Sequence, residues 1–284
     1  GARYSYSNSA YCLLGMVIEM VSGQPYGDFV RERIFAPLGM AHSSYMHHAA
    51  IIPRRADGYD RTESGYERAP YMSMTLPYSS GSLGATLDDL IRWDTALREQ
   101  TLLDTAIQER MATPVRLNDG RTEGYGLGWG LSMYRTRRVV HHAGGVPGFS
   151  SFFGRFVDDG LTIIVLSNLG GYDAAGLAQP IANLALALPA PTHQTVALDE
   201  AALRRVAGKY AGLVETLDIT YDGQRLLAAG DIQGELLPIS ETAFALAEHP
   251  DTVIRFDEPG ENGYEWARAV VPFYWFNAQR LADD

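Results

Sequence analysis

Leu14, Val17, Ile18 and Val21 recur at i, i+3, i+4 and i+7, a spacing that predicts an amphipathic helix near the start of the chain. Asn8 or Ser9 can cap its first turn, and Gly23 suits the left-handed residue after its end. Pro25 can open a second helix through Phe29, Val30 and Ile34, which Pro37 stops. Residues 41–83 carry no sustained periodicity and are expected to form long loops over a cleft, with short strands. Thr86 and Asp89 then form a Thr-x-x-Asp capping box ahead of Leu90, Ile91, Trp93 and Leu97.

Strand periodicity takes over downstream. The run from Gly124 to Gly130 alternates small and aromatic residues, lacks the lysine and the order of a P-loop, and is expected to be a closely packed strand. Arg138 to His142, Ser151 to Val157 and Leu161 to Leu166, the last two joined by a turn at Asp159-Gly160, predict an antiparallel meander. Pro180 is placed in the first turn of a helix whose Ile181, Leu184, Ala185 and Leu188 share one face over the sheet. Helices before and after a meander point to an α+β domain with a sheet edge bordering the cleft. Pro189-Ala190-Pro191-Thr192-His193-Gln194 marks a boundary, giving domains of 1–193 and 194–284. Past a short helix around Leu203, evenly spaced strands with turns such as Asp222-Gly223 predict a small β-barrel.

Composition narrows the function classes. The 284 residues are 46% hydrophobic and 20% charged, with no apolar run long enough to span a membrane. The net charge of −11 disfavours nucleic acid, whose phosphates are bound mainly by lysine and arginine. The single cysteine, Cys12, excludes an internal disulfide and a cysteine-based zinc cage, and reads as a small core residue. His42, His47 and His48 do not have the spacing of a zinc site. Neither a metal nor a cofactor is expected.

The candidate chemistry lies in two short motifs. Tyr6-Ser7-Asn8 stands at the mouth of the first helix, where unpaired N–H groups and the positive end of the dipole favour an anionic oxygen. A tyrosine becomes a base when nearby cations stabilise its phenolate, and Asn8 can orient an ammonium or a substrate amide. His142-Ala143-Gly144-Gly145 follows far downstream; Ala143 and Gly144 leave room for substrate, and the Gly145 N–H can serve as an oxyanion donor. A nucleophile paired with a lysine is missing, because Lys209 is the only lysine and Val206 stands three positions before it. Taken singly, Tyr6 reads as a packed aromatic, Asn8 as a helix cap, and His142, like His141 on the opposite face, as a hydrogen-bonded strand histidine.

In order, Tyr6-Ser7-Asn8-Ser9-Ala10-Tyr11-Cys12-Leu13-Leu14-Gly15, Val21-Ser22-Gly23, Ala36-Pro37-Leu38-Gly39-Met40, Tyr125-Gly126-Leu127-Gly128-Trp129 and His142 to Phe149 resemble the serine β-lactamase and penicillin-binding-protein superfamily. The likeness is to its class C-like hydrolases, including esterases and D-aminopeptidases. It covers roughly residues 1–190, while residues 196–284 resemble the lipocalin-like domain of some members. The resemblance implies that Tyr6 is the general base supported by Asn8, that His142-Ala143-Gly144 stands where a Lys-Thr-Gly triplet would be, and that Gly145 donates to the oxyanion. It also implies that Ser-x-x-Lys precedes the tyrosine motif, so the missing N-terminal segment of the same protein is an expected partner and 1–284 alone is expected to be inactive. Histidine for lysine favours an ester, amide or D-amino-acid peptide over β-lactams, since histidine is largely neutral near pH 7. A noncatalytic binding protein on the same fold is the alternative. The family likeness favours a periplasmic or secreted location, with a cytoplasmic one open.

Overall fold

The structure is a computed structural model that describes residues 1–212, 215–257, 259–260 and 263–282. The chain divides into two compact units, Gly1–Gly130 with Val140–Ala182, and Leu131–Val139 with Asn183–Asp284.

In the first unit, helix α1 spans Asn8–Ser22. Its cap is Ser7, not Asn8 or Ser9: Ser7 is extended, and its Oγ accepts from the Ala10 N–H at 3.1 Å. The end is as the glycine predicts, with Gly23 at φ 70° and its N–H on the Glu19 carbonyl. The apolar stripe, however, is not the buried side. Leu13, Leu14, Met16 and Val17 are at least half exposed, and Met20 and Val21 reach 84%. What packs inward is Gly15, where an added Cβ would fall 2.0 Å from Ser79 Oγ. Only a glycine lets the helix approach that closely. Ser79 in turn donates to the Tyr11 carbonyl at 2.8 Å, and the Cys12 thiol reaches the Pro77 carbonyl at 3.5 Å.

Helix α2, Tyr26–Val30, runs on as a π-turn over Arg31–Phe35. Tyr26, Val30, Phe35 and Met40 form a small core with it. The 41–83 region is mostly loop, with a hairpin pairing Tyr59–Thr62 to Gly65–Arg68 and a two-residue pairing of Ser44–Tyr45 with Leu83–Gly84. Helix α3, Leu87–Glu99, is capped by Thr86, whose Oγ accepts from the Asp89 N–H at 3.3 Å. The box is not reciprocal. The buried Asp89 carboxylate instead accepts from the His42 N–H and the Ser43 hydroxyl, both at 2.8 Å, tying α3 to the preceding loop.

The meander forms a sheet ordered β4-β3-β2-β1, with β1 Gly130–Tyr134, β2 Arg137–Val146, β3 Phe149–Phe156 and β4 Leu161–Ser167. β3 alternates strictly between half-buried and buried positions, with Phe152 and Phe156 inward. β3 and β4 pair from Phe156 with Leu161 to Ser150 with Ser167. Helix α4, Ala174–Ala185, contradicts two expectations. Pro180 lies inside it rather than in its first turn, and Ile181 and Leu184 face outward while Ala174, Ala178 and Ala182 are buried. Small residues at four-residue spacing permit a closer approach than the larger stripe would.

In the second unit, eight strands close into a barrel: β5 Gly208–Ala211, β6 Thr216–Tyr221, β7 Leu226–Gly230, β8 Gly234–Pro238, β9 Ala243–Leu246, β10 Val253–Phe256, β11 Trp266–Val271 and β12 Tyr274–Arg280. The paired strands are antiparallel throughout, and β12 returns to β5 to close the ring. β11 and β12 form a hairpin in which Phe273 turns the chain at φ 62°. Tyr210, Leu217, Ile219, Phe244, Ile254 and Phe256 fill a side-chain core, as an eight-stranded ring of this size allows. In the same unit Arg135 pairs bidentately with Asp251, at 2.8 and 3.1 Å.

Candidate active site

The sequence after Tyr6 sets its position. Because Ser7 takes the cap, Tyr6 precedes the helix and Asn8 becomes its first residue, exposed at the mouth. The Gly-rich run expected as a strand is instead a tight turn: the Gly126 N–H donates to the Trp129 carbonyl, Gly128 has φ 78°, and Tyr125 bridges Gly130. That turn presents Tyr125 toward β2. Gly130 lies against His141, where a Cβ would meet the imidazole Cε1 at 2.7 Å. Residues from His142 onward therefore run past the end of β1.

The three elements meet in one aromatic cluster. The Tyr6 and His142 rings are 6.2 Å apart, and Tyr6 meets the Tyr125 ring edge-on at 5.7 Å. Tyr4 lies 5.8 Å from Tyr125 on another side. The Tyr125 hydroxyl is 3.0 Å from His142 Nε2, and His142 Nδ1 is 2.5 Å from the Ala143 carbonyl. Ala143, Gly144 and Gly145 are exposed, and no heavy atom lies within 4 Å of where a Gly145 Cβ would be. At Gly144 a Cβ would fall 2.6 Å from Ser151 Oγ. Space for a side chain is thus open at Gly145 and closed by Ser151 at Gly144.

Electrostatics here oppose the expectation that Tyr6 is activated. Burial, reinforced by the nearby Tyr11, pushes the Tyr6 phenol above its ordinary value of 10. Tyr125 is raised still further by burial and by Tyr11, Tyr6 and Tyr4. Both phenols are therefore protonated near neutral pH, and Tyr6 can accept a proton only when a cation lowers it. Lys209, the only lysine in the sequence, belongs to the barrel strand β5.

His141 is a different kind of residue from its neighbour. It is buried against Phe152, ring centroids 5.8 Å apart, and burial holds it neutral with its pKa lowered to about 4. Gly130→Ala is expected to cost about 1–3 kcal/mol by overpacking this imidazole. Urea denaturation checks it, and an unchanged midpoint would mean that the strand shifts freely.

Sequence reasoning placed Tyr6 and His142 together but missed Tyr125 as a member of the cluster they form. Its signal was the turn chemistry of Gly124 to Gly130, which the alternation of residue types masked. His47 and His48 stack at 4.3 Å while His42 serves Asp89 through its backbone. Among the described residues, no three His, Cys, Asp or Glu side chains gather to hold a metal, and no helix is long and apolar enough to cross a membrane. A pocket of about 430 Å³ beside α1 and α2, lined by residues such as Glu19, Tyr26, Tyr45 and Tyr78, contains none of the motif residues. The convergence of titratable groups identifies the candidate site better than this volume does.

Comparison with known proteins agrees with this geometry. The chain is 32% identical over 269 residues to penicillin-binding protein 4* of Bacillus subtilis (strain 168), matching 86% of this chain and 59% of that protein. It is 27% identical over 215 residues to a D-aminopeptidase of Gluconobacter oxydans (strain 621H), covering 73% of this chain and 40% of that one. It therefore spans about half the length of these relatives. The crystal structure of the D-amino acid amidase from Ochrobactrum anthropi SV3 with D-phenylalanine superposes with a TM-score of 0.56 at 26% identity, over 66% of this chain and 58% of that one. The family model described as Beta-lactamase matches residues 1–187, and with the fold and the ordered motifs this places the chain in the serine β-lactamase and penicillin-binding-protein superfamily.

Proposed function

We propose that residues 1–284 carry the base wall and the histidine wall of a serine acyl-transfer hydrolase for D-amino-acid amides, peptides or related esters, its nucleophile lying in a segment outside these residues. The observation that carries this reading is the approach of the Tyr6 and His142 rings to 6.2 Å from the two separate segments of the first unit. The relatives named D-aminopeptidase and D-amino acid amidase support the substrate class.

The chemistry follows from the groups present. The serine oxygen attacks the substrate carbonyl carbon while Tyr6, as phenolate, takes the serine proton. Charge moves to the carbonyl oxygen, where the Gly145 N–H stabilises it. Collapse expels the amine or alcohol, which leaves with the proton from Tyr6; water then attacks the seryl ester and releases the acid. Since Tyr6 is held protonated by its present neighbours, the lysine paired with the serine has to lower it. The exposed apolar face of α1, with Leu13, Met20 and Val21, supports a covering segment.

A fluorophosphonate probe tests the reading. The intact gene product is expected to be labelled on a serine outside residues 1–284, and the 284-residue chain to remain unlabelled. Absence of label on the intact protein would favour the noncatalytic alternative, and labelling of the isolated chain would refute the placement of the nucleophile.

A further inference from the structure

We propose that Tyr125 is the positioning residue of the candidate site, its ring supporting Tyr6 and its hydroxyl orienting His142, so that one side chain sets the spacing of the two motifs. The effect on catalysis rests on the proposed function; the spacing does not.

The backbone at Tyr125 is fixed from several directions. Its N–H donates to the Glu123 carbonyl at 2.7 Å, and its carbonyl accepts from the Val115 N–H at 2.9 Å. Beyond it, the Leu127 N–H donates to the Met111 carbonyl at 3.0 Å, and an added Cβ at the buried Gly126 would fall 2.0 Å from that carbonyl oxygen. Tyr6 and His142 are tied down less by their own segments. Tyr6 precedes the helix cap and is 45% exposed. The Nδ1 contact of His142, with the Ala143 carbonyl, lies within its own strand.

From this mount Tyr125 reaches both motifs. Its ring meets Tyr6 edge-on at 5.7 Å, closer than the 6.2 Å between Tyr6 and His142, and Tyr4 backs it at 5.8 Å. Its hydroxyl lies 3.0 Å from His142 Nε2. A hydroxyl donates to a neutral imidazole nitrogen and accepts from a protonated one, so this contact orients the ring in either state. Tyr11 on α1 interacts with the same hydroxyl, and a Cβ at Gly128 of the same turn would lie 3.6 Å from the Tyr11 oxygen. The helix that follows Tyr6 and the strand that carries His142 therefore bear on one side chain. Such spacing matters to a reaction, because a misplacement of about 1 Å can cost about 100-fold in rate.

The decisive measurement uses the 284-residue chain as it is. Nuclear Overhauser spectra, with Tyr6 and His142 assigned through Tyr6→Phe and His142→Gln, are expected to show ring-to-ring contacts of Tyr6 with Tyr125 and with His142. In Tyr125→Phe the Tyr6 contact with ring 125 is expected to stay while that with His142 weakens; in Tyr125→Leu the Tyr6–His142 contact is expected to vanish. The stacking of His141 on Phe152 reports whether the fold is kept. A wild-type spectrum without the Tyr6–His142 contact overturns the proposal, as does a folded Tyr125→Leu that keeps it at full strength. If Tyr125→Leu does not fold, Tyr125→Phe decides, and an unchanged Tyr6–His142 contact there overturns the role of the hydroxyl.

In the intact protein, Tyr125→Phe is expected to lower kcat for a D-amino-acid amide about tenfold with KM little changed. Added to Tyr6→Phe it should cost less than about twofold more, since a residue that acts through Tyr6 has little left to position. Full additivity of the two changes, or an unchanged kcat in Tyr125→Phe, would refute the catalytic part. Absence of turnover by the wild type would refute the proposed function instead, and the spectra would still decide the spacing.

Discussion

Tyr6→Phe in the intact protein is expected to lower kcat by about 100-fold to 10,000-fold, the usual range for losing a general base. The substitution removes one oxygen and keeps the ring, so the edge contact with Tyr125 at 5.7 Å and the helix cap at Ser7 are preserved. KM for a D-amino-acid amide should accordingly change little, which separates loss of proton transfer from loss of binding. The pH dependence carries a sign. Burial and Tyr11 raise the Tyr6 phenol above 10, so with these neighbours alone its phenolate population, and hence the rate, would climb only in strong alkali. A cation supplied with the nucleophile lowers it, and the wild-type profile should then reach its plateau near neutral pH. Steady-state hydrolysis of a p-nitrophenyl ester checks both. Full activity in Tyr6→Phe would remove Tyr6 from the mechanism.

Asp94→Ala should be among the most damaging changes to the stability of the first unit, by about 3 kcal/mol or more. Asp94 lies on α3 and is buried, and its two oxygens hold three groups. Oδ2 accepts from Arg98 at 2.6 Å, while Oδ1 accepts from Arg155 on β3 at 2.9 Å and from the Thr162 hydroxyl on β4 at 2.8 Å. Removing the carboxylate leaves the Arg155 guanidinium, 15% exposed, without its counter-charge. Arg98 contributes less, since at 40% exposure water screens it. Urea denaturation measures the loss. A value below about 1 kcal/mol would mean that the sheet relaxes to let water reach Arg155. The double change Asp94→Ala with Arg155→Met should recover part of the loss, because the stranded charge is then gone.

These two residues differ in how far the sequence reveals them. Tyr6 and His142 were legible because each stands in a short motif whose local structure follows from local rules: a cap and a helix in one case, a strand running into small residues in the other. Asp94 had no such mark. It is one acid on an exposed-looking helix turn, and two of its three partners, Arg155 and Thr162, are more than sixty residues downstream. Tyr125 was hidden by a rival pattern, since alternating glycine and aromatic residues suit a strand as well as they suit a turn. The left-handed Gly128 settles it, and a sequence does not print backbone angles. The same limit explains Asn8, where three neighbouring polar residues could all cap and geometry chose Ser7.

The sequence by itself determined that there is a helix after Tyr6, a meander ending in Leu161 to Leu166, a barrel near the C-terminal end, and two motifs whose Tyr6 and His142 rings come together. Periodicity and turn chemistry act over a few residues, so these survive without knowledge of neighbours. Only the tertiary structure decided which side of α1 and of α4 is buried. In both helices the small residues, Gly15 and then Ala174, Ala178 and Ala182, lie inward while larger apolar residues remain outside. Burial depends on how closely another surface can approach, a property of two segments at once. The same holds for His142, whose Nε2 meets the hydroxyl of Tyr125, seventeen residues earlier, at 3.0 Å.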